Sequence, residues 1–453
     1  MSLAPLPTAW NLYRLVSSPY FQGTLERREQ TQRPLTLFVG RETELADLRA
    51  RVHGAGNGST RQAVAGLPGV GKTTLVQALK SSLLSDGYLA TDEVVPILPR
   101  DSAEQLFGRV LAALYDTMLI NRPQARDHAA MRDAQLVVRA FRIGSGGGSL
   151  SLFGIGGGAT KGTTVVTPKD ILLDGPRIMR DLMTLVRGAD ARGVILHLNN
   201  LENLTESDTR HAAELLRSLR DLMLLHDGLH FILVGTTDAV QAIVQPHPQI
   251  RSIVDILPLE PMAIADVHRL LQARAEHLRL DGGRRVIPPV DDEAIAALYE
   301  LYRGDLRGLL KALDDGAGQL IGVTGVRDDT GRPTAPAVRS LAIDELRPVL
   351  RARYMAELQQ LPERSRVSQL TQWGASAPSK AMTQRELMRR WQLTQGAVST
   401  ALTWLVERGF VVALPRDGAK ATEYVLSGRS RLMFPVTASR QRTRGMAQTT
   451  RRR

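Results

Sequence analysis

Apolar residues in this chain fall into two habits, short unbroken runs and runs at helical spacing. RQAVA (61–65), VVPIL (94–98), VILHL (194–198) and HFILVG (230–235) are too short for buried helices, so they predict strands covered on both faces. Helical stretches lie between them: KTTLVQALKSSLL (72–84) behind a glycine-rich turn, a segment around 102–119, and one beginning near Ser207 with Ser207 and Asp208 as cap candidates. Strands alternating with helices imply a parallel α/β sheet. Residues 262–325 read as mostly helical, and a proline-containing joint, GRPTAP (331–336), leads into a last module. Trp10, Tyr13, Tyr20 and Phe21 mark an N-terminal arm expected to dock on the body. SGGGSLSLFGIGGGATKGTT (145–164) interrupts the order as a glycine-flanked loop, in which Phe153 and Lys161 are the residues open to partner contact.

Composition narrows the class. At 453 residues the chain has room for two or three domains, each with its own core. The absence of cysteine excludes disulfides, thiolate zinc sites and thiol catalysis. No signal-peptide pattern opens the sequence and no apolar run approaches the ~18 residues that span a bilayer, so the expectation is a cytoplasmic protein with no membrane partner. The net charge of +12 is unevenly placed. Residues 335–453 hold 21 Lys and Arg against 8 Asp and Glu, whereas the first 334 residues hold 37 against 38. A charge confined to one module implies a polyanionic partner for that module, nucleic acid first.

GLPGVGKT (66–73) follows a predicted strand and opens a helix, as a phosphate-binding loop must. Gly66, Gly69 and Gly71 would let backbone N–H groups face phosphate oxygens, Lys72 would place its ammonium between β- and γ-phosphates, and Thr73 would ligate Mg²⁺ with Thr74 beside it. ATP and Mg²⁺ are therefore the expected cofactors. ILVGTT (232–237) ends a strand in Thr236, suited to sensing a γ-phosphate or orienting water. Arg251 precedes the helical region, and Arg307 stands at the start of a helix in RGDLRGLLKAL (303–313).

The last module has its own signature. In AMTQRELMRRWQLTQGAVSTALTWLVERGFVVALPRDGAKATEYVLS (381–427), Thr383 and Glu386 form a capping box that starts a helix ending near Trp391. The next helix buries Val398, Leu402, Leu405 and Val406 and presents Gln395, Ser399, Thr400 and Thr403, short uncharged groups suited to base edges and phosphates. FVVAL (410–414) and ATEYVLS then read as a hairpin with Arg416 and Lys420 at its tip. Helix–turn–helix plus charged hairpin is similar to a MarR-like winged helix, which implies duplex DNA as partner. Beyond it, residues 429–453 carry eight arginines and no acid, as expected of a disordered basic arm.

Over roughly residues 37–325, FVGRETEL, GLPGVGKTT, ILVGTT, LPLEPM and GDLRGLLKAL occur in an order that resembles the AAA+ ATPases of the origin-recognition and replication-initiator clade. The resemblance implies a parallel-sheet P-loop base (37–258) with a helical lid (259–334); the arm (1–36) precedes them, and the winged helix (335–428) and the basic tail (429–453) follow. It implies Arg307 as lid sensor and Arg251 as an arginine finger in a homo-oligomer. It also implies acids where this chain has Asn199 and Asn200. An amide brings no negative charge and cannot act as a base, so hydrolysis is expected to be slow or partner-dependent, with Glu202 close enough to substitute. ATP would then act as an assembly or conformational switch for DNA binding. A signalling or defence ATPase sensing a protein partner or foreign nucleic acid, and an ATP-responsive transcription regulator, stay open beside that reading.

Overall fold

The computed structural model describes residues 9–26, 31, 33–144, 171–188, 190–201, 204, 206–280, 286–323, 339–414 and 422–434. Phe153, Lys161, Glu202, the GRPTAP joint, Arg416, Lys420 and the arginines from Arg440 onward lie outside them. The chain divides into two compact units, Gly23–Glu260 and Met1–Gln22 with Pro261–Arg453.

The Gly23–Glu260 unit contains α1 (Glu42–Gly54), β1 (Arg61–Ala65), α2 (Lys72–Ser85), β2 (Leu89–Ala90), β3 (Val95–Pro96), α3 (Ala103–Asn121), α4 (Ala129–Gly144) and α5 (Ile171–Gly188). It continues through β4 (Val194–Asn199), α6 (Glu206–Ser218), β5 (Leu229–Gly235), α7 (Thr237–Val244), α8 (Pro248–Arg251) and β6 (Asp255–Pro258). The strands run parallel in the order β2-β4-β5-β1-β6, with β3 also on β4. Alternation along each strand sorts the side chains into two cores. Ala63, Ala65, Leu196, Leu198, Phe231 and Leu233 face the cluster built by α3 to α7. Val64, Ile195, Ile232 and Val234 face the cluster of α1 and α2. A sheet covered on both faces explains why its strands read as continuous apolar runs.

Two expected boundaries move. The helix expected to be capped by Ser207 or Asp208 already includes Glu206, so both residues lie in its first turn. The 94–98 run pairs in register only at Val95 and Pro96, and the Ile97 N–H then donates to the Asn199 carbonyl at 3.0 Å.

His197 is a polar intruder in β4. It is fully buried, neither ring nitrogen has a hydrogen-bond partner, and burial together with the nearby Lys80 ammonium lowers its pKa to about 3. Burial likewise lowers His230 in β5 to about 4. Both are held neutral when folded, so their contribution to stability is present above the ordinary pKa near 6.5 and is lost as pH falls through the folded values. Between pH 6.5 and 4 each should cost about 1.4 kcal/mol per pH unit. His197→Leu removes one of the two and an unsatisfied buried group with it. The stability gap between pH 7 and pH 5 in urea melts should therefore shrink by about 2 kcal/mol. An unchanged gap would contradict this account.

The second unit contains α9 (Ile264–His277), α10 (Asp292–Leu301), α11 (Leu306–Val323), α12 (Ile343–Gln360), α13 (Arg364–Ser376), β7 (Met382–Thr383), α14 (Gln384–Trp391), α15 (Gln395–Glu407), β8 (Val411–Leu414), β9 (Glu423–Leu426) and α16 (Gly428–Met433). The N-terminal arm docks here. Trp10 meets Tyr20 edge-on at 5.9 Å, and the Arg274 guanidinium lies 4.0 Å over Phe21 while donating to its carbonyl. An antiparallel sheet in the order β7-β9-β8 flanks α14 and α15.

The tail does not begin at residue 429. Arg429 belongs to α16, where it pairs with Glu357 and stacks over Tyr354 and Phe410. Arg431 donates from Nε to the Leu426 carbonyl at 3.0 Å. Short-range sequence reading missed this because Glu357 and Tyr354 lie on α12, some seventy residues away.

Candidate functional site

Three strand ends converge at one edge of the parallel sheet. Ala65 is level with Gly235, and Leu198 with Leu233, so Gly66, Thr236 and Asn199–Asn200 follow from neighbouring strands in the order β4-β5-β1. The carboxyl edge of a parallel sheet is where α/β proteins bind ligands.

The 66–73 loop is shaped by backbone constraint. Gly69 and Gly71 have φ of 84° and 96°, values that side chains disfavour. A Cβ on Gly66 would stand 2.5 Å from the Leu259 carbonyl oxygen, so only glycine permits that approach. Gly71 is the N-cap of α2 and offers no side-chain cap. By contrast α3, α7, α10, α14 and α15 each begin with a Ser, Thr or Asp that accepts from the first turn. The initial N–H groups of the helix entered from the loop are thus left without a side-chain acceptor and open to an anion.

Lys72 is buried, and its ammonium donates to the carbonyls of Gly66 at 2.9 Å and Leu67 at 3.0 Å. These bonds fold the charge over the loop. Thr73 and Thr74 follow, both partly exposed. The donor set suits a polyphosphate: one cation, an uncapped helix start and a turn held open by Gly66, Gly69 and Gly71.

Arg41, which sequence reasoning passed over, braces the loop from behind. It is 5% exposed, pairs with Glu44 at 2.7 Å, and donates to the carbonyls of Val70 at 3.2 Å and Glu260. The guanidinium ties the loop to the chain leaving β6. Its only sequence signal was its place in FVGRETEL.

Neither asparagine supplies a charge. Asn199 ends β4 level with Pro96 and is half-buried. Asn200 has φ of 75°, a left-handed conformation asparagine tolerates, and donates from Nδ2 to the Ile97 carbonyl at 3.2 Å. Another carboxylate lies near this strand end, since Asp101 accepts from the Leu98 N–H at 2.7 Å. Asp101 is buried and paired with Arg109, which also donates to the Pro96 carbonyl at 3.2 Å. Its charge is therefore spent on arginine. Thr236 caps α7 by accepting from the Ala239 N–H at 3.3 Å, which leaves its hydroxyl proton to donate elsewhere.

The two arginines are exposed. Arg251 closes α8 in the Gly23–Glu260 unit, and Arg307 is the second residue of α11 in the other. A cation in the first turn opposes the helix dipole, so Arg307 does nothing for its own helix. Asp305 just before it accepts from the Gly308 N–H at 3.0 Å; burial raises its carboxyl pKa against the opposing effects of that bond and of Arg307. Among the described residues no cluster of His, Asp and Glu fits a metal ion, and no helix is long and apolar enough to cross a membrane.

In α15, Val398, Ala401, Leu402 and Leu405 are buried, and Gln395, Ser399, Thr400 and Thr403 are exposed as a polar face. Val406 was expected inside but is 38% exposed; Ala401 takes the inner position, one helical turn before Leu405. Thr400 and Thr403 donate to the carbonyls of Gly396 at 2.9 Å and Ser399 at 3.1 Å, so both hydroxyls turn lone pairs outward.

A family model described as AAA ATPase domain matches residues 37–234. The chain carries an AAA ATPase domain on the P-loop parallel-sheet fold, followed by a helical region. No curated protein matches the chain. Similar solved structures include the ORC1 protein of Aeropyrum pernix in complex with DNA, at 14% identity and a TM-score of 0.44 over 94% of this chain and 96% of that one. The ORC2 protein of the same organism, in ADPNP–ADP complexes, has 15% identity and a TM-score of 0.44 over 92% and 95%. The Drosophila ORC bound to DNA has 12% identity and a TM-score of 0.42 over 96% and 94%.

Proposed function

We propose that this chain binds ATP with Mg²⁺ at the 66–74 loop and binds duplex DNA through residues 381–427 as a winged helix, with ATP acting as an assembly and conformational switch rather than as fuel. The observation that carries the reading is the contrast at one sheet edge, where β1 ends in the glycine loop with its buried lysine and β4, two strands along, ends in two asparagines. Gly66, Gly69 and Gly71 open the backbone, Lys72 supplies the cation, and Thr73 would hold the metal. Bound Mg²⁺·ATP would add a triphosphate whose terminal group distinguishes it from ADP. Asn199 can accept a hydrogen bond from metal-bound water but neutralises nothing, and Asn200 cannot take a proton.

Slow turnover follows. Asn199→Asp with Asn200→Glu should raise ATP hydrolysis about tenfold, short of the ~10²–10⁴ a placed general base can give. The shortfall arises because glutamate at φ of 75° is strained by roughly 1–2 kcal/mol. Phosphate release under single-turnover conditions measures it; a wild-type rate near the ~10 s⁻¹ enzyme median would remove the basis for this part of the reading.

DNA recognition rests on different observations. The α14–turn–α15 pair with its three-stranded sheet has winged-helix order, and the exposed face of α15 carries no charge at Gln395, Ser399, Thr400 and Thr403. Arg385 and Arg389, one turn apart on α14, would contact phosphates, as would Arg416 and Lys420. The switch has a physical route within the second unit. Tyr302, three residues before Asp305, shares a hydrogen bond with Tyr354, and a Cβ on Gly428 would lie 2.4 Å from its ring. Arg429 stacks over Tyr354 and Phe410, and Phe410 stacks at 6.1 Å on Trp404 of α15. A displacement of the Arg307 loop would be felt at the recognition helix.

In a homo-oligomer Arg251 would reach a neighbour's γ-phosphate, and Arg307 would close the lid of its own subunit. Mass measurement with ATP, with ADP and without nucleotide tests the assignment. Arg251→Ala should bind ATP yet lose ATP-dependent assembly, and Arg307→Ala should weaken the ATP response itself. One mass distribution under all three conditions would refute assembly control.

A further inference from the structure

The cations of α12 and its surroundings are unequally partnered. Arg353 pairs with Asp315 at 3.1 Å and Glu357 at 3.3 Å, and Arg339 pairs with Glu345 at 2.6 Å. Arg347 and Arg351 are exposed, lie one helical turn apart, and have no ion-pair or hydrogen-bond partner among the described residues. Between them runs a groove of about 430 Å³ whose floor is Pro348, Ala352, Met355 and Leu432 of α16. The floor is almost wholly apolar.

We infer that this groove is a docking site for an acidic protein segment that inserts an apolar side chain, an interaction separate from nucleotide and from duplex DNA. The charges and the floor each remove an alternative. Phosphate would satisfy the arginines but leave the floor bare, since a nucleic-acid backbone projects nothing apolar into it. A neutral apolar helix would fill the floor but leave two cations beside it unpaired. The chain's own end, residues 435–453, has six arginines and no acid, the wrong sign of charge to pair with Arg347 and Arg351. A helix with carboxylates flanking Leu or Phe at i, i+3 and i+4 meets both needs, with Arg giving paired, fork-shaped contacts. The inference stands without the ATP and DNA reading.

The test uses the full-length chain and a fluorescein-labelled 15-residue peptide with Leu and Phe on one helical face and glutamates flanking that face. Wild type should bind it, and the same peptide with lysine for glutamate should bind at least about tenfold more weakly. Arg347→Gln with Arg351→Gln, both exposed and expected to fold, should cost about tenfold in peptide affinity. Met355→Asp should cost a similar factor by repelling both the apolar anchor and its acids. The double variant should leave the salt slope of duplex DNA binding in place. A fall in that slope by the ~1.8 expected of two lost phosphate contacts would make the groove part of the DNA surface and overturn the proposal. Equal binding of the two peptides, no binding at all, or a change of oligomer mass in the double variant would overturn it too.

Discussion

Lys72→Ala is expected to abolish ATP binding at millimolar nucleotide, a loss of at least about 100-fold, or roughly 2.7 kcal/mol. The ammonium is buried and held against the carbonyls of Gly66 and Leu67, so the substitution removes the loop's own cation. Two carbonyls also lose their donors, and the turn itself should loosen. Lys72→Arg serves as the control: it keeps the charge, yet its planar fork is larger than the space closed by two carbonyls about 3 Å away, so it should rescue only partly. Labelled-nucleotide binding measures both. Wild-type affinity in Lys72→Ala would mean that the loop is an ordinary strand–helix turn.

Truncation after Phe434 should have the second large effect. It removes Arg440, Arg442, Arg444, Arg451, Arg452 and Arg453 while sparing α16. If all six contact phosphates, the log–log salt slope of duplex binding should fall by about 5, and affinity at low salt should fall by orders of magnitude. Preference among sequences should survive, because the Gln395 and Thr400 face is intact. Cutting at Ser427 would confuse the result, since Arg429 pairs with Glu357 and bridges Tyr354 and Phe410. An unchanged slope after truncation would show that the arm does not touch DNA.

These expectations draw unequally on sequence and structure. RQAVA became β1 residue for residue, and Thr383 with Glu386 formed the expected capping box, because both depend on neighbours a few positions apart. The glycine turn at 66–73 was legible for the same reason, since its glycines answer to local backbone geometry. Arg41 was not, because its partners Val70 and Glu260 are distant in the chain. His197 hid inside an apolar run, where alternation alone could not say that it faces α2 and Lys80. Val406 was misplaced by a period that a nearby alanine satisfied better. Asn199 and Asn200 were readable as missing charge, but the Ile97 carbonyl that engages Asn200 was not.

The central claim is that nucleotide state sets DNA engagement, and one titration tests it most directly. Duplex DNA binding by the wild-type chain is measured at fixed salt with Mg²⁺·ATP, with Mg²⁺·ADP and without nucleotide, alongside Lys72→Ala. The account predicts tighter binding with ATP than with ADP, by at least the factor of about 5 at which coupling becomes measurable, and no nucleotide effect in Lys72→Ala. A single affinity for wild type under all three conditions would contradict it and leave the nucleotide and DNA modules working independently.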